Sequence, residues 1–297
     1  MEKRLNIAIV GLGVIGGSFA WALKEQTDYN VRVLGLDHDP ETLSLALEAG
    51  AIDAGELVNK MILQEADLVI LTLYPNAIVD FVRTHRDEFK KGAILTDSTG
   101  IKGNIVDQVV PILPEGVDFI FGHPMAGKES QGFAYADADT FQDANYLLTP
   151  IATNKEENVA FLTALLKTLG FKRVRQVEAQ VHDEMIAFVS QLCHVLAVSL
   201  INSDEAGRDT AAFVGDTYRE LTRIAKINGP LWSELFLNNK TELLTVMENF
   251  ESQFLLMKQA IKQEDEAGLI GLFEEATARR VKLEQSDSKL QGRQHSI

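Results

Sequence analysis

The stretch LNIAIVGLGVIG, residues 5–16, decides the fold of the N-terminal half. Its first six residues are apolar except for Asn6 and partly β-branched, which predicts a buried strand, and helical apolar spacing follows over 14–24. A loop of the form Gly-x-Gly-x-x-Gly lies between them. A strand, this loop and a helix in that order are typical of a dinucleotide site, because the glycines admit the pyrophosphate and the helix N-terminus presents free N–H groups. The candidate cofactor contacts in the loop are Gly11, Leu12, Gly13, Val14, Ile15 and Gly16.

An acidic residue stands where this fingerprint requires one. Asp37 follows the second predicted strand, 31–36, about 20 residues past the loop. A carboxylate at this point accepts hydrogen bonds from the ribose hydroxyls of NAD and would repel the 2′-phosphate of NADP. No arginine follows it, and Asp39 fits the role of a helix cap better than Asp37 does. We therefore predict NAD as the cofactor, with Leu73, at the end of the strand 67–73, as a further contact.

Short apolar strands alternate with helices through the first half of the chain. The strands are predicted at 5–10, 31–36, 67–73, 93–96, 118–121, 145–149 and 172–177. This order predicts an α/β fold with a doubly wound, largely parallel, Rossmann-like sheet. From 179 onward only helices are predicted, at 179–204, 210–226, 230–248, 250–264 and 266–284. We expect a nucleotide-binding domain at 1–178, an all-α domain at 179–285, a flexible polar tail at 286–297 and a long loop over the site at 125–144.

The composition argues against several classes of protein. A net charge of −15 disfavours nucleic-acid binding, where phosphate neutralisation supplies most of the affinity. The single cysteine, Cys193, cannot form an internal disulfide, which favours a reducing cytoplasm. We see no run of about 18 or more apolar residues and expect no membrane span. One cysteine and no close histidine pair also indicate chemistry without a metal.

Two histidines could take part in proton transfer. His123 follows the strand 118–121 in the phrase GHPMAG, residues 122–127, at the edge of the sheet where ligands bind. It fits a general base that titrates near neutrality, and it also fits a structural histidine at a strand end. His182 lies at the start of a helix and is either a partner for another group or an exposed residue.

The helical half carries two further pairs of polar residues. Ser190 and His194 lie one turn apart on an apolar helix, where they either line a cleft or are satisfied core residues. Arg219 and Arg223 lie four residues apart, so their guanidinium groups could hold carboxylates or face solvent.

Three phrases in this order resemble the prephenate dehydrogenase family: GHPMAG at 122–127, SQLCH at 190–194, and LTRIA at 221–225 followed by Trp232. The resemblance covers the chain to about residue 284. It implies NAD-dependent oxidative decarboxylation of prephenate to 4-hydroxyphenylpyruvate, a step of tyrosine biosynthesis. It also implies an intertwined homodimer formed through the helical domain.

The resemblance assigns a role to each candidate. His123 would accept the proton of the ring hydroxyl, Arg223 would bind the ring carboxylate, and His194 would contact the side-chain end of the substrate. The pocket would be shaped by Ser190, Glu129 and Trp232, of which Trp232 is expected to reach the site of the other subunit.

One position departs from the family pattern. Gly100 stands where the family usually has a serine, three residues after the aspartate that ends the preceding strand. Either Ser98 or Thr99 could supply that hydroxyl near His123, and the sequence leaves the choice open.

Three other functions compete with this interpretation. One is arogenate dehydrogenase, which does the same chemistry on a substrate with an amino group in place of the side-chain keto group. A more distant one is a β-hydroxyacid dehydrogenase, which uses a catalytic lysine on the helical domain and lacks the GHPMAG phrase. The third is an NAD-sensing binding protein that has lost catalysis.

Overall fold

The computed structural model describes residues 4–58, 61–127 and 130–292, the last six as backbone. Its strands are β1 (Leu5–Val10), β2 (Val31–Leu36), β3 (Ala54–Glu56), β4 (Leu68–Leu71), β5 (Ile94–Asp97), β6 (Asp118–Pro124), β7 (Asn145–Thr149) and β8 (Arg173–Gln176). Its helices are α1 (Val14–Glu25), α2 (Pro40–Glu48), α3 (Ile62–Glu65), α4 (Pro75–His85), α5 (Gly103–Val109), α6 (Glu156–Thr168), α7 (Ala179–Ile186), α8 (Leu192–Asn202), α9 (Asp216–Thr222), α10 (Gly229–Asn238), α11 (Lys240–Lys262) and α12 (Glu266–Gly292).

The eight strands form one sheet in the order β3-β2-β1-β4-β5-β6-β7-β8. Neighbouring strands are parallel except for β6 and β7, which are antiparallel. The predicted α/β class with a doubly wound, largely parallel sheet is therefore confirmed. Strand β3 was not predicted, because three residues around Gly55 carry no apolar alternation.

Apolar side chains cover both faces of the sheet. Alternation along β1 sends Ile7 and Ile9 into one buried cluster, with α1 and α6, and sends Ala8 and Val10 into a second cluster, with α4 and α5. Burial on both faces explains why the strands read as continuous apolar runs.

The N-termini of α1 and α2 differ in whether a side chain caps their first backbone N–H groups. Asp39 caps α2 as expected: its carboxylate accepts from the backbone N–H groups of Glu41 and Thr42, and Pro40 follows it. Helix α1 begins after Gly13 and has no side-chain cap. Its first turn is therefore open to an anionic group.

The helical half differs from the prediction at four places. The expected helix 210–226 is divided into the short α9 and 3-10 turns on either side of it, and α11 runs through the expected break between 248 and 250. The expected helix 179–204 contains a π-helical turn, Ala187–Gln191, between α7 and α8. The expected helix 230–248 breaks between α10 and α11 at Asn239, whose buried amide donates to the carbonyl oxygen of Asp183 and to Oε1 of Gln191. This break rests on a tertiary contact, which local spacing does not encode.

One helical stretch among the described residues, Ala179–Asn202, is long and apolar enough to cross a membrane by length and composition alone. It carries the buried polar side chains of His182, Asp183 and Gln191. Of its most apolar part 28% is buried, and these three polar side chains form hydrogen bonds with other segments of the chain.

The chain divides into two compact units, residues 1–243 and residues 244–297. In the second unit, α12 continues to Gly292, past the predicted start of the tail at 286. Residues 293–297 lie outside the described part of the chain. The functional boundary at 178/179 stays a prediction.

Candidate active site

A cavity of about 610 Å³ lies in the first unit, at the carboxyl edge of the sheet. The segments that follow β1, β4 and β5, together with the end of β6, form one side of it, and the segment from α7 to α10 forms the other. This is the edge at which open α/β sheets bind their ligands.

The glycine loop opens into this cavity. Gly11 has a φ of +87°, which a side chain would strain, and a Cβ on Gly16 would overlap the carbonyl oxygen of Gly11. A Cβ on Gly13 would meet no atom within 4 Å. The tight turn thus needs Gly11, and the close packing needs Gly16. Gly13 leaves open space beside the uncapped start of α1. These features fit the pyrophosphate of a dinucleotide.

Asp37 ties this loop to the end of β2. Its Oδ2 accepts from the backbone N–H of Leu12 at 2.6 Å and its Oδ1 from the backbone N–H of Asp39 at 2.9 Å. Each carboxylate oxygen has a second acceptor site, so a ribose hydroxyl can still donate to it. Leu73 lines the cavity, as do Val14 and Ile15 of the loop.

His123 reaches the cavity from the end of β6, which continues to Pro124. Its Nδ1 lies 2.9 Å from Nε2 of His182, which is 1% exposed, and Nδ1 of His182 lies 2.7 Å from Oδ1 of Asp183. Nε2 of His123 faces the backbone of Gly100, where a Cβ would stand 3.7 Å away. Burial lowers the pKa of His123 well below its usual 6.5, and the neighbouring His182 and Lys102 lower it further. His182 is therefore a buried partner and not an exposed residue.

A buried ion pair lies behind this histidine. The ammonium of Lys102 donates to Oδ2 of Asp97 at 2.7 Å, and both side chains are 0% exposed. Burial lowers the pKa of Lys102, and the charge of Asp97 opposes that shift. Oδ1 of Asp97 also accepts from the backbone N–H of Gly122, beside His123. Sequence reasoning missed this pair, although Asp97 ends a strand and Lys102 follows it closely.

The structure separates the two hydroxyls proposed to replace the family serine. The Thr99 hydroxyl donates to Oδ2 of Asp97 and accepts from Lys102, so it belongs to the buried cluster. Ser98 and Thr99 both line the cavity, but only the Thr99 hydroxyl is held by the buried Asp97–Lys102 pair. Of the two alternatives, we therefore expect Ser98 to supply the hydroxyl.

Three of the predicted substrate-binding residues meet on the opposite wall. Ser190, His194 and Trp232 line the cavity of their own chain. The expected reach of Trp232 into another subunit stays a prediction. The His194 ring stacks on Trp232 with ring centroids 3.6 Å apart, and its Nδ1 lies 3.0 Å from the carbonyl oxygen of Ser190.

One other predicted residue is not brought to this wall. Arg223 is exposed and stands outside the cavity lining, whereas Ile224 and Lys226 are part of it. Glu129 lies outside the described residues. The expected loop 125–144 contributes residues 125–127 and 130–132 to the lining, while its later part forms short 3-10 turns that pack against α1 at Gly17. Within the described ranges no group of three or more His, Cys, Asp or Glu could hold a metal ion.

Comparison with known proteins places the chain in a family. The family model for the nucleotide-binding domain of prephenate dehydrogenase matches residues 19–175, and the model for its dimerization domain matches residues 178–275. The chain belongs to the prephenate dehydrogenase family. The resemblance read from the three sequence phrases is thereby confirmed.

Individual relatives agree with this membership. The prephenate dehydrogenase of Lactococcus lactis is 31% identical over 277 residues, which are 91% of this chain and 75% of the relative. The cyclohexadienyl dehydrogenase of Zymomonas mobilis is 28% identical over 94% of this chain and 96% of its own length. The crystal structure of prephenate dehydrogenase from A. aeolicus with hydroxyphenyl propionate and NAD+ superposes with a TM-score of 0.86 at 27% identity, covering 95% of this chain and 99% of that one.

Proposed function

We propose that this chain is an NAD-dependent dehydrogenase that converts prephenate to 4-hydroxyphenylpyruvate and carbon dioxide. The observation that carries the proposal is that Nε2 of His123 and the glycine loop open into one cavity. A relative of similar fold binds hydroxyphenyl propionate and NAD+ together, which supports the same pairing of ligands here.

The N-terminal residues fit the dinucleotide. The space beside Gly13 and the free N–H groups at the start of α1 would receive the pyrophosphate, and Asp37 would accept from the ribose. Leu73, on the cavity wall, would border the cofactor. When bound, NAD accepts the hydride that leaves the ring carbon of the substrate.

His123 would take the proton of the ring hydroxyl at Nε2, because its Nδ1 is already paired with His182. Its lowered pKa keeps the ring neutral at pH 7 and ready to accept. Loss of the hydride and of this proton turns the ring carbinol into a ketone. The carbon–carboxylate bond then breaks, carbon dioxide leaves, and its electron pair makes the ring aromatic. The proton held on Nε2 returns to the ring oxygen, so the proton count balances.

The opposite wall would bind the two carboxylates of prephenate. His194 and Ser190 would contact the side-chain end, with Trp232 stacked on His194 and holding it in place. Lys226 lines the cavity and supplies a cation there, while Arg223 and Glu129 stay candidates from the family resemblance. Ser98 would supply a hydroxyl near the reacting carbon.

We also propose a cytoplasmic homodimer. The dimerization-domain match at 178–275 supports association through the helical half, as do exposed aromatic side chains such as Phe254 and Phe273 in the second unit. Sedimentation equilibrium tests this: a mass of twice 32.8 kDa is expected, and a monomer at all concentrations would contradict it.

The experiment that tests the function is a matrix of rates with prephenate or arogenate against NAD or NADP. We expect NADH and carbon dioxide in equal amounts with prephenate and NAD. Turnover of arogenate alone would replace the proposed substrate. Binding of NAD by calorimetry without turnover of either compound would favour the NAD-sensing alternative.

A further inference from the structure

Three side chains form a continuous hydrogen-bonded line away from the cavity. His123 contacts His182 through Nδ1 and Nε2 at 2.9 Å, and His182 contacts Asp183 through Nδ1 and Oδ1 at 2.7 Å. His182 is 1% exposed and Asp183 5%, so water cannot readily replace either partner. The hydrogen bonds from His123 to His182 and from His182 to Asp183 are therefore part of the protein interior.

The carboxylate at the far end fixes the position of each proton. Asp183 accepts from the backbone N–H groups of Lys102 and Gly103 at 2.8 and 2.7 Å, so it acts as an acceptor throughout. Nδ1 of His182 must then carry a hydrogen, and Nε2 of the neutral ring must accept one. Among the described residues, the donor that lies against it is Nδ1–H of His123, which leaves the lone pair of His123 on Nε2.

We infer that His182 and Asp183 are positioning residues that hold His123 in the tautomer whose basic nitrogen, Nε2, faces the cavity. They fix the ring orientation as well, because both ends of the His182 ring are paired. When Nε2 takes a proton, Nδ1–H keeps its acceptor on His182, so the ring stays in place. A histidine oriented by a carboxylate works on the same principle in serine hydrolases, here with a second histidine between them.

The charges around the two rings agree with this arrangement. Lys102 faces both rings, Asp97 and Asp183 face His182, and His194 lines the same cavity from α8. Burial lowers the pKa of His182 below 6.5, while its hydrogen bond with Asp183 opposes that shift. His182 must be neutral at pH 7 for its Nε2 to accept the hydrogen bond from Nδ1–H of His123.

Two substitutions of His182 separate positioning from packing. His182→Leu keeps an apolar volume and removes both hydrogen bonds. His182→Gln keeps an amide oxygen that can accept from His123 and an amide nitrogen that can donate to Asp183. Asp183 itself is a poorer target, because it also holds the first N–H groups of α5.

The kinetic test rests on the proposed function. We expect His182→Leu to lower kcat with prephenate by about tenfold or more with little change in KM, since His182 is outside the cavity lining. His182→Gln should recover most of kcat. Equal losses in both variants, or an unchanged kcat in a folded His182→Leu enzyme, would overturn the inference.

A second readout needs no turnover. Nitrogen NMR of the histidine rings reports which ring nitrogen carries the hydrogen. In the wild type we expect the hydrogen on Nδ1 of His123. In His182→Leu we expect a mixture of the two tautomers of His123, with the hydrogen on Nδ1 in one and on Nε2 in the other. Hydrogen on Nε2 of His123 in the wild type would refute the positioning role of His182 and Asp183. If the wild type fails to convert prephenate, the proposed function fails, and this spectrum still tests the positioning role.

Discussion

Replacing Lys102 by methionine tests how strongly the buried ion pair supports the catalytic edge of the sheet. The Lys102 ammonium makes three hydrogen bonds, to Asp97 at 2.7 Å, to the Thr99 carbonyl at 2.9 Å and to the Thr99 hydroxyl at 3.0 Å. Lys102→Met keeps the side-chain length and leaves the Asp97 carboxylate buried without its cation. Removing one partner of such a pair costs about 3–5 kcal/mol. Asp97 keeps donors from Gly122 and Thr99, so we expect the lower end of that range.

The matched control is Lys90→Met. Lys90 pairs with Asp67 at the same 2.7 Å, but its side chain is 35% exposed, and such pairs contribute about 0–1 kcal/mol. Urea unfolding measures both, as a fall in the midpoint at unchanged slope. The double variant Asp97→Asn/Lys102→Met should be more stable than Lys102→Met alone, because no unpaired charge stays buried. A Lys102→Met protein within 1 kcal/mol of its Lys90→Met counterpart would refute the reasoning.

Three further predictions concern ligands and protons. The lowered pKa of His123 keeps the ring neutral as the pH falls through 6.5, so the acid limb of kcat/KM should have its midpoint below 6.5; a midpoint above it contradicts the assignment. Gly13→Val should weaken NAD binding by about tenfold or more, or ~1.4 kcal/mol, by filling the pyrophosphate space, without lowering the unfolding midpoint; unchanged affinity by calorimetry contradicts that role. Lys226→Met should raise KM for prephenate through loss of a cation at the cavity wall, and steady-state kinetics with an unchanged KM would remove Lys226 from the site.

The strands and the glycine loop could be predicted because their signals are local. The apolar run 5–10 follows from burial on both faces of the sheet. The glycines behind it follow from the tight turn, and Asp37 lies at a fixed distance from them. Strand β3 has no such pattern: Ala54–Glu56 is held by pairing with β2. The same limit explains Asn239, which ends a helix through a contact with Asp183, over fifty residues away.

In the candidate site too, features with a local sequence signal could be predicted and tertiary contacts could not. His123 could be found from its place after a strand, but its partner could not, since 59 residues separate it from His182. Thr99 and Ser98 are neighbours in sequence, and only the buried Asp97–Lys102 pair distinguishes them, by binding the Thr99 hydroxyl. Residue type and spacing indicate which groups can do chemistry. Their pairing depends on tertiary contacts.

The measurement that tests the account most directly is prephenate-dependent NADH and carbon dioxide formation by the wild type and by His123→Asn. Loss of a general base lowers kcat by about 100-fold or more, while NAD affinity should stay unchanged because the glycine loop is untouched. We expect rapid, stoichiometric formation of both products by the wild type and at least that loss in the variant. A wild type that binds NAD and converts neither prephenate nor arogenate, or a His123→Asn enzyme as active as the wild type, would contradict the account.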